Sequence, residues 1–407
     1  VAVVVQKYGG TSVGDPDRMR AVADHVARTR RHGNEVIMVV SAMGSETDDL
    51  LLLAERVSHV QPGREMDMLI TAGERKAVAL MCMALADIGV AAHSFTGSQA
   101  GFLTDTNHQN AKILEINPYR IEDALANGIV PVVAGSQGMS TDRDVTFLGR
   151  GGSDTTAVAL SKALGADLCE LYTDVSGVFS ADPRVVPAAR KMSSITFDEL
   201  LEMTATGCPK PAMRSVEVAH SHGVPLHIRS AFTWEQGTYV VEQEEDMEQP
   251  IIRAVTHDVS ESKITVADVP DKPGVSATLF RALAEADVNV DMIVQNVSEN
   301  GRTDISFTLP TENLALASSI LDDGIVAELG AKAFSTDDSI GRVSLIGAGM
   351  KSNPGVAARM FETLAGCGIN IEMISTSAIR ISCVINQADV DDAVQALHSA
   401  FGLDADA

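Results

Sequence analysis

Two stretches of this 407-residue chain repeat one another: KPGVSATLFRALAEADVNVDMI at 272–293 and NPGVAARMFETLAGCGINIEMI at 353–374, at a constant offset of 81 residues. Each copy sets a strand before Pro-Gly, a helix after it, and then a short strand opening on Asn-Val or Asn-Ile. A repeat constrains architecture more firmly than local propensity, because both copies must build the same unit. Two copies are too few for a solenoid, so they read as a pair of small α+β modules packed against each other.

The chain before the repeat has a different style. VAVVVQ (1–6), EVIMVVS (35–41), IVPVVAG (129–135) and LCELYTD (168–174) are short β-branched runs, each closed by glycine, serine, threonine or aspartate. Between them, DRMRAVADHVARTRRHG and DTTAVALSKALGA have the spacing of amphipathic helices. The alternation predicts an α/β domain with a largely parallel sheet over residues 1–241, whose carboxyl edge is where ligands bind in such sheets. EQEEDMEQP (242–250) is acidic, almost free of apolar residues and closed by proline. It reads as the start of a linker over 242–260, with the modules at 261–340 and 341–407.

Charge narrows the function classes. A formal net charge of −24 excludes a phosphate-backbone partner, so no nucleic acid is expected. An anionic small molecule stays open, since a local cationic pocket can sit in an acidic protein. No apolar run reaches the roughly 18 residues of a membrane span, and no signal-peptide pattern is visible. The five cysteines are scattered, without metal-ligand spacing or a disulfide framework. These features give the expectation of a cytoplasmic protein without a membrane partner.

Two glycine clusters suit anion chemistry. KYGGTS (7–12) ends a strand on Lys7, and Gly9 and Gly10 let backbone N–H groups turn toward an anion. Taken alone it is equally a plain turn, and it is not a Walker A loop. LGRGGSDTTAVAL (148–160) sets Arg150, Gly151 and Gly152 before a helix that opens with Ser153 and Asp154. The unpaired amides of a helix start bind anions, and an arginine fork grips carboxylate. Asp154 could also be a plain N-cap. In MLITAGERKAVAL (68–80), Glu74 is either a favourable first-turn carboxylate or a partner for a substrate ammonium group. A carboxylate grip and an ammonium grip together would recognise an α-amino acid. YTDVSGVFSADPR (172–184) suits a nucleotide-embracing loop or a surface hairpin.

KYGGTSV, VVSAMG, TAGER, SFTGSQAG, LGRGGSDTTA and TDVSGVFSADPR, in this order and before a tandem repeat that resembles ACT domains, resemble the aspartokinase family over almost the whole chain. The resemblance implies the amino-acid-kinase fold followed by two ACT modules, each of order βαββαβ, and transfer of the ATP γ-phosphoryl group, with Mg2+, to the β-carboxylate of L-aspartate. That is the first step toward lysine, threonine and methionine. By the same resemblance, Lys7 stabilises the transferring group and Asp154 organises the catalytic cations, with no protein metal ligand assigned. Ser41, Thr47, Glu74, Arg150, Gly151, Gly152 and Ser153 surround the amino-acid substrate. Lys7, Gly9, Gly10, Thr173, Asp174, Ser180, Asp182, Arg184 and Lys210 surround the nucleotide. Asp271, Asn289, Val290, Asp291, Gln295, Asn370 and Ile371 fall at effector positions for threonine, lysine or both. The ACT pair implies a homo-oligomer.

The pattern departs from the family at GCPKPAMR (207–214). Pro209 stands where the family carries a lysine near the transferring phosphate, and Lys210 follows between two prolines. Losing a cation aimed at the transition state costs about 3 kcal/mol. Either Lys210 reaches the site by another backbone path, or the chain is an impaired paralogue that binds and senses amino acids. A third reading keeps the enzyme and changes the acceptor to glutamate or another acidic amino acid. Ala77 and Ser136 stand where serine and phenylalanine are usual in the family. Ala378 and Asn353 replace a usual glutamate and histidine, giving the expectation of retained threonine binding and a weakened lysine response.

Overall fold

Val3–Tyr8 and Glu35–Val40 are almost wholly buried and β-branched, the pattern of central strands covered on both faces. They lie in the middle of an eight-stranded sheet of order Ser194–Thr196, Thr238–Val241, Leu226–Ser230, Leu168–Thr173, Val3–Tyr8, Glu35–Val40, Val130–Ala134, Ala92–Phe95. All neighbours run parallel except Leu226–Ser230 against Thr238–Val241. The computed structural model describes residues 1–243, 251–296 and 300–404. The chain divides into two units, and this sheet belongs to the first, formed by Val1–Val178, Lys191–Ala205 and the described residues from Pro209 to 243.

The helix Pro16–Arg31 shows why local sequence suffices for much of this layer. The Asp15 carboxylate accepts from the Arg18 N–H at 2.8 Å, and Pro16 occupies the first turn, where its missing donor is harmless. Arg28, Arg30 and Arg31 in the last turn meet the negative end of the helix dipole. Met19, Val22, Ala23 and Val26 form one stripe, buried with Val36, Met38 and Val40 of the sheet. The helix Gly152–Leu164 is buried over its first ten residues and ends at Gly165 in the left-handed region. Because alternate strand residues face opposite ways, Lys7 points away from the side that Tyr8 shares with the first helix.

The second unit contains Phe179–Arg190, Thr206–Cys208 and the described residues from Ile251 onward. It has two four-stranded antiparallel sheets. One has the order Ile293–Gln295, Arg302–Pro310, Glu261–Pro270, Ala333–Asp337, and the other Ala254–Asp258, Ile340–Ile346, Arg380–Asn386, Met373–Thr376. The helices Val275–Glu285 and Gly355–Gly366 follow the two Pro-Gly turns at corresponding positions of the repeat.

Three expectations about boundaries differ from the structure. Within the linker proposed at 242–260, residues 244–250 lie outside the described residues, but Ala254–Asp258 is a strand paired with Ile340–Ile346. The sheet of the second module is therefore completed by a strand that precedes the first module, and the order βαββαβ holds in sequence only for the first. A five-residue strand beside an acidic run carries too few β-branched residues to stand out, yet it covers the hydrogen-bonding edge of Ile340–Ile346. Finally, Phe179–Arg190 and Thr206–Cys208, expected within 1–241, fold with the second unit. Ala181 and Val186 join its core beside Val255, Leu345 and Leu397.

Candidate active site

The parallel strands end together at one edge, and the first unit builds its site there. Lys7 lies one residue before the end of its strand, opposite Val39 and Leu171. Its Nζ is 2.6 Å from Asp154 Oδ1, and both side chains are about 95 % buried (6 % and 5 % exposed). Burial alone would raise the Asp154 carboxyl, but the charge and bond of Lys7, the Ala212 N–H and the charge of Lys210 together hold it below the usual range. The Ala212 N–H donates to Asp154 Oδ2 at 3.1 Å. Asp154 is thus an ionised acid in the first turn of a buried helix, where the helix dipole also favours negative charge.

Glycine is needed where the backbone comes close. A methyl group at Gly10 would lie 2.8 Å from Ala42 O, and one at Gly151, which has φ +74°, would lie 2.3 Å from Ala212 Cβ. Gly9 faces Lys7 Nζ, 3.4 Å from where its own Cβ would be. Two hydroxyls that sequence reading missed belong here. Ser12 Oγ and Thr155 Oγ1 are buried without a hydrogen-bond partner, one next to the Gly9 turn and one next to Asp154. The second hydroxyl of GGTS and the Thr after Ser-Asp were the available signal. Unpartnered buried hydroxyls are costly unless something fills their bonding capacity.

Glu74 sits on the helix Gly63–Asp87, only 3 % exposed. Burial pushes its carboxyl up to about 7, although its own N–H and that of Ala42 act against the rise, and Glu46 adds to it. Its Oε2 has no hydrogen-bond partner. A buried carboxylate with an open oxygen suits a cationic ligand. Ser41 and Thr47 are half-buried, and the Ser41 N–H ties to Tyr8 O at 3.1 Å. Arg150 is exposed in the turn before the Gly152–Leu164 helix. Ser153 is buried, and its hydroxyl meets that of Ser136 at 2.9 Å, so the unusual Ser136 holds the head of this helix.

Lys210 is exposed in the segment between the two prolines. Its charge acts to lower the Asp154 carboxyl, and the chain beyond it returns the Ala212 donor to the same carboxylate. Pro209 and Pro211 remove two donors, but not the one this site uses.

The nucleotide loop expected at 173–184 is split. Thr173 closes its strand, buried, and its hydroxyl accepts from the Val175 N–H at 3.0 Å; Asp174 is exposed. Ser180, Asp182 and Arg184 lie in the second unit. Ser180 Oγ is 2.9 Å from His398 Nε2 and accepts from the Arg190 N–H at 2.9 Å, while Asp182 and Arg184 pair with each other at 2.6 Å. The composition of the stretch suits phosphates, and the buried Ala181 and Val186 anchor it in a hydrophobic core.

Among the effector positions, Asp271, Asn289, Gln295 and Asn370 are exposed, and Val290 and Ile371 half-buried. The Asp291 carboxylate is paired with Arg342 of the second module, and Gln295 Oε1 accepts from Ser276 at 3.3 Å. No group of three or more His, Cys, Asp or Glu side chains could hold a metal ion among the described residues, and no described helix is long and apolar enough to cross a membrane.

Known proteins resemble this chain over nearly its whole length. The model of the amino acid kinase family matches residues 2–230, and that of the ACT domain matches 263–324 and 343–401. The aspartokinase of Mycobacterium tuberculosis is 54 % identical over 100 % of this chain and 97 % of its own length. Among solved structures, Escherichia coli aspartokinase III in complex with aspartate and ADP (R-state) aligns with a TM-score of 0.85 at 25 % identity, over 98 % of this chain and 99 % of its own. The same enzyme in complex with lysine and aspartate (T-state) aligns with a TM-score of 0.74 at 25 % identity, with the same coverage.

Proposed function

The chain belongs to the aspartokinase family, and we propose that the geometry at the sheet edge performs phosphoryl transfer from ATP to the β-carboxylate of L-aspartate. A carboxylate oxygen of the substrate forms a bond to the γ-phosphorus as the bond to ADP breaks. This reaction needs positioning and positive charge around the transferring group more than covalent help. The observation that carries the reading is the buried Lys7–Asp154 pair beside the Gly9–Gly10 turn, with Lys210 within electrostatic reach. Lys7 and Lys210 face the charge that develops on the transferring oxygens, and Asp154 keeps Lys7 aimed. Glu74 takes the α-ammonium group and Arg150 the α-carboxylate, with Ser41, Thr47 and the Gly151–Ser153 backbone around them. Thr173 and Asp174 lie on the nucleotide side.

Magnesium fits this donor set only as an ion held mainly by the phosphates, since Asp154 is a single carboxylate and Ser12 and Thr155 add hydroxyls. When bound, it neutralises charge on the nucleotide. The scattered spacing of the five cysteines, without a disulfide framework, supports a cytoplasmic enzyme of amino-acid biosynthesis.

The ACT modules supply regulation by threonine, with a weakened lysine response. The complex of Escherichia coli aspartokinase III with lysine and aspartate (T-state) supports the binding of an amino-acid effector. The edge strands Ile293–Gln295 and Met373–Thr376 expose Ile293 (50 %) and Ile374 (45 %) at equivalent repeat positions, which supports pairing with a second copy through these edges. The test of the activity is ATP-dependent acyl-phosphate formation with L-aspartate and L-glutamate supplied separately. Turnover on glutamate alone, or on neither, would overturn it.

A further inference from the structure

We propose that Asp67 is a positioning residue that fixes the separation of the two groups gripping the amino-acid substrate. The proposal rests on the reading of Glu74 and Arg150 given above. Asp67 is fully buried on the helix Gly63–Asp87 and lies two turns before Glu74 on the same face. Both of its oxygens leave the helix. Oδ2 meets His108 Nδ1 at 2.6 Å, and Oδ1 accepts from the Gln109 N–H at 2.9 Å.

The segment so held is wedged between the two halves of the site. On one side, a methyl group at Gly63 would lie 3.0 Å from His108 Cβ. On the other, a methyl group at Gly149 would lie 3.2 Å from both Gln109 O and Asn110 Oδ1. Gln109 itself sits at φ +66°, a conformation that a non-glycine residue keeps only where its surroundings impose it. Just beyond, the Ala111 N–H donates to Phe147 O at 3.0 Å, and Arg214 donates to Leu148 O at 2.7 Å and to Ala111 O at 2.8 Å. Arg150 follows Gly149 directly. A continuous line of contacts therefore runs from the Glu74 helix through Asp67 and residues 108–111 to the turn that carries Arg150. An α-amino acid offers its ammonium and carboxylate groups at one fixed spacing, so a brace of this kind acts on aspartate binding and not on the nucleotide.

The experiment measures KM for L-aspartate and for ATP in wild type, Asp67→Ala, Asp67→Asn and His108→Ala, with Glu74→Gln and Arg150→Ala beside them. Asp67→Ala is expected to raise the aspartate KM about tenfold while the ATP KM stays within about twofold, since small misplacements of gripping groups have large effects. His108→Ala, whose side chain is 23 % exposed, should move the aspartate KM in the same direction. Asp67→Asn should restore most of the affinity. Its oxygen still accepts the Gln109 N–H, and its amide can face His108 Nδ1 in the other tautomer. Equal changes in both KM values, no change in either, or an Asn variant no better than Ala would overturn the brace. If Asp67→Ala does not fold, the Asn and His108 variants decide by the same criteria. If Glu74→Gln and Arg150→Ala leave the aspartate KM unchanged, the substrate reading fails and the brace falls with it. If they raise it and the Asp67 and His108 variants do not, the brace alone is wrong.

Discussion

Lys7 Nζ and Asp154 Oδ1 meet at 2.6 Å, one delivered by the first strand of the sheet and the other by the first turn of a buried helix. Neither charge could be buried without the other. The pair places an ionised acid and a cation where two glycine-rich turns converge; the Ala212 N–H donates to the same acid, and the charge of Lys210 also acts to lower its carboxyl.

Asp154→Asn leaves Lys7 buried without a carboxylate. It should lose about 3 kcal/mol of stability, as breaking a buried pair does. It should also lose most phosphoryl transfer. Denaturant unfolding and turnover of the same preparation check both; an Asn variant with wild-type stability contradicts the pairing.

Glu74, raised to about 7, gives the aspartate KM a pH dependence. Below that value the empty site holds a neutral acid that grips ammonium poorly, so KM should rise as pH falls from 8 to 6. The stability effect has the opposite sign. A folded value above the ordinary 4.5 means that the folded state takes up a proton between the two, so this group opposes folding increasingly as pH climbs through that range. Glu74→Gln should therefore raise the melting temperature of the unliganded protein at pH 8, raise KM, and remove its pH dependence. A variant that keeps wild-type KM contradicts the ammonium grip.

Glu170 lies in a buried polar cluster of the first unit. Gln6 Nε2 donates to Oε2 at 2.8 Å, Arg229 Nη1 to Oε1 at 2.8 Å, and Tyr172 OH to Oε2 at 3.1 Å. Burial acts to raise its carboxyl, yet the His227, Gln6 and Arg229 contacts bring it down to about 2 from an ordinary 4.5. A depressed folded value means stabilisation that is fully present above 4.5 and lost as pH falls toward 2. Glu170→Gln should be less stable than wild type by about 3 kcal/mol at pH 7, with the gap closing between pH 4.5 and 2. Unfolding curves across that range check it.

Ser180→Ala should separate the two readings of the 173–184 stretch. It removes a hydroxyl that His398 and the Arg190 N–H both use, so about 1–3 kcal/mol of stability should be lost. The KM for ATP should stay within about twofold, since that hydroxyl is already committed. A large rise in the ATP KM without loss of stability would restore the phosphate role.

The Lys7 strand, the helix opening on Ser153-Asp154 and the repeat at 81-residue offset were legible because each is a local pattern: a β-branched run, a glycine turn before a helix, a copied segment. The packing of Ser180 was not legible, because hydroxyl and aspartate composition is the same in a phosphate loop and in a loop anchored by Ala181 and Val186. The Ala254–Asp258 strand escaped because its partner, Ile340–Ile346, lies a whole module away in sequence. Asp67 escaped for the same reason: a buried acid is recognisable only from what it holds, and His108 and Gln109 belong to another element. Long-range pairing leaves no periodicity.

The most direct test concerns Lys210, whose charge acts on the Asp154 carboxyl and whose role decides whether Pro209 has spoiled the site. Acyl phosphate formed from ATP, magnesium and L-aspartate is trapped with hydroxylamine for wild type, Lys7→Ala and Lys210→Ala. The account predicts turnover by wild type and a loss of about a hundredfold in both variants, the usual effect of removing a group aimed at transition-state charge. A wild type that binds ATP but forms no acyl phosphate, or a Lys210→Ala variant as fast as wild type, would contradict it.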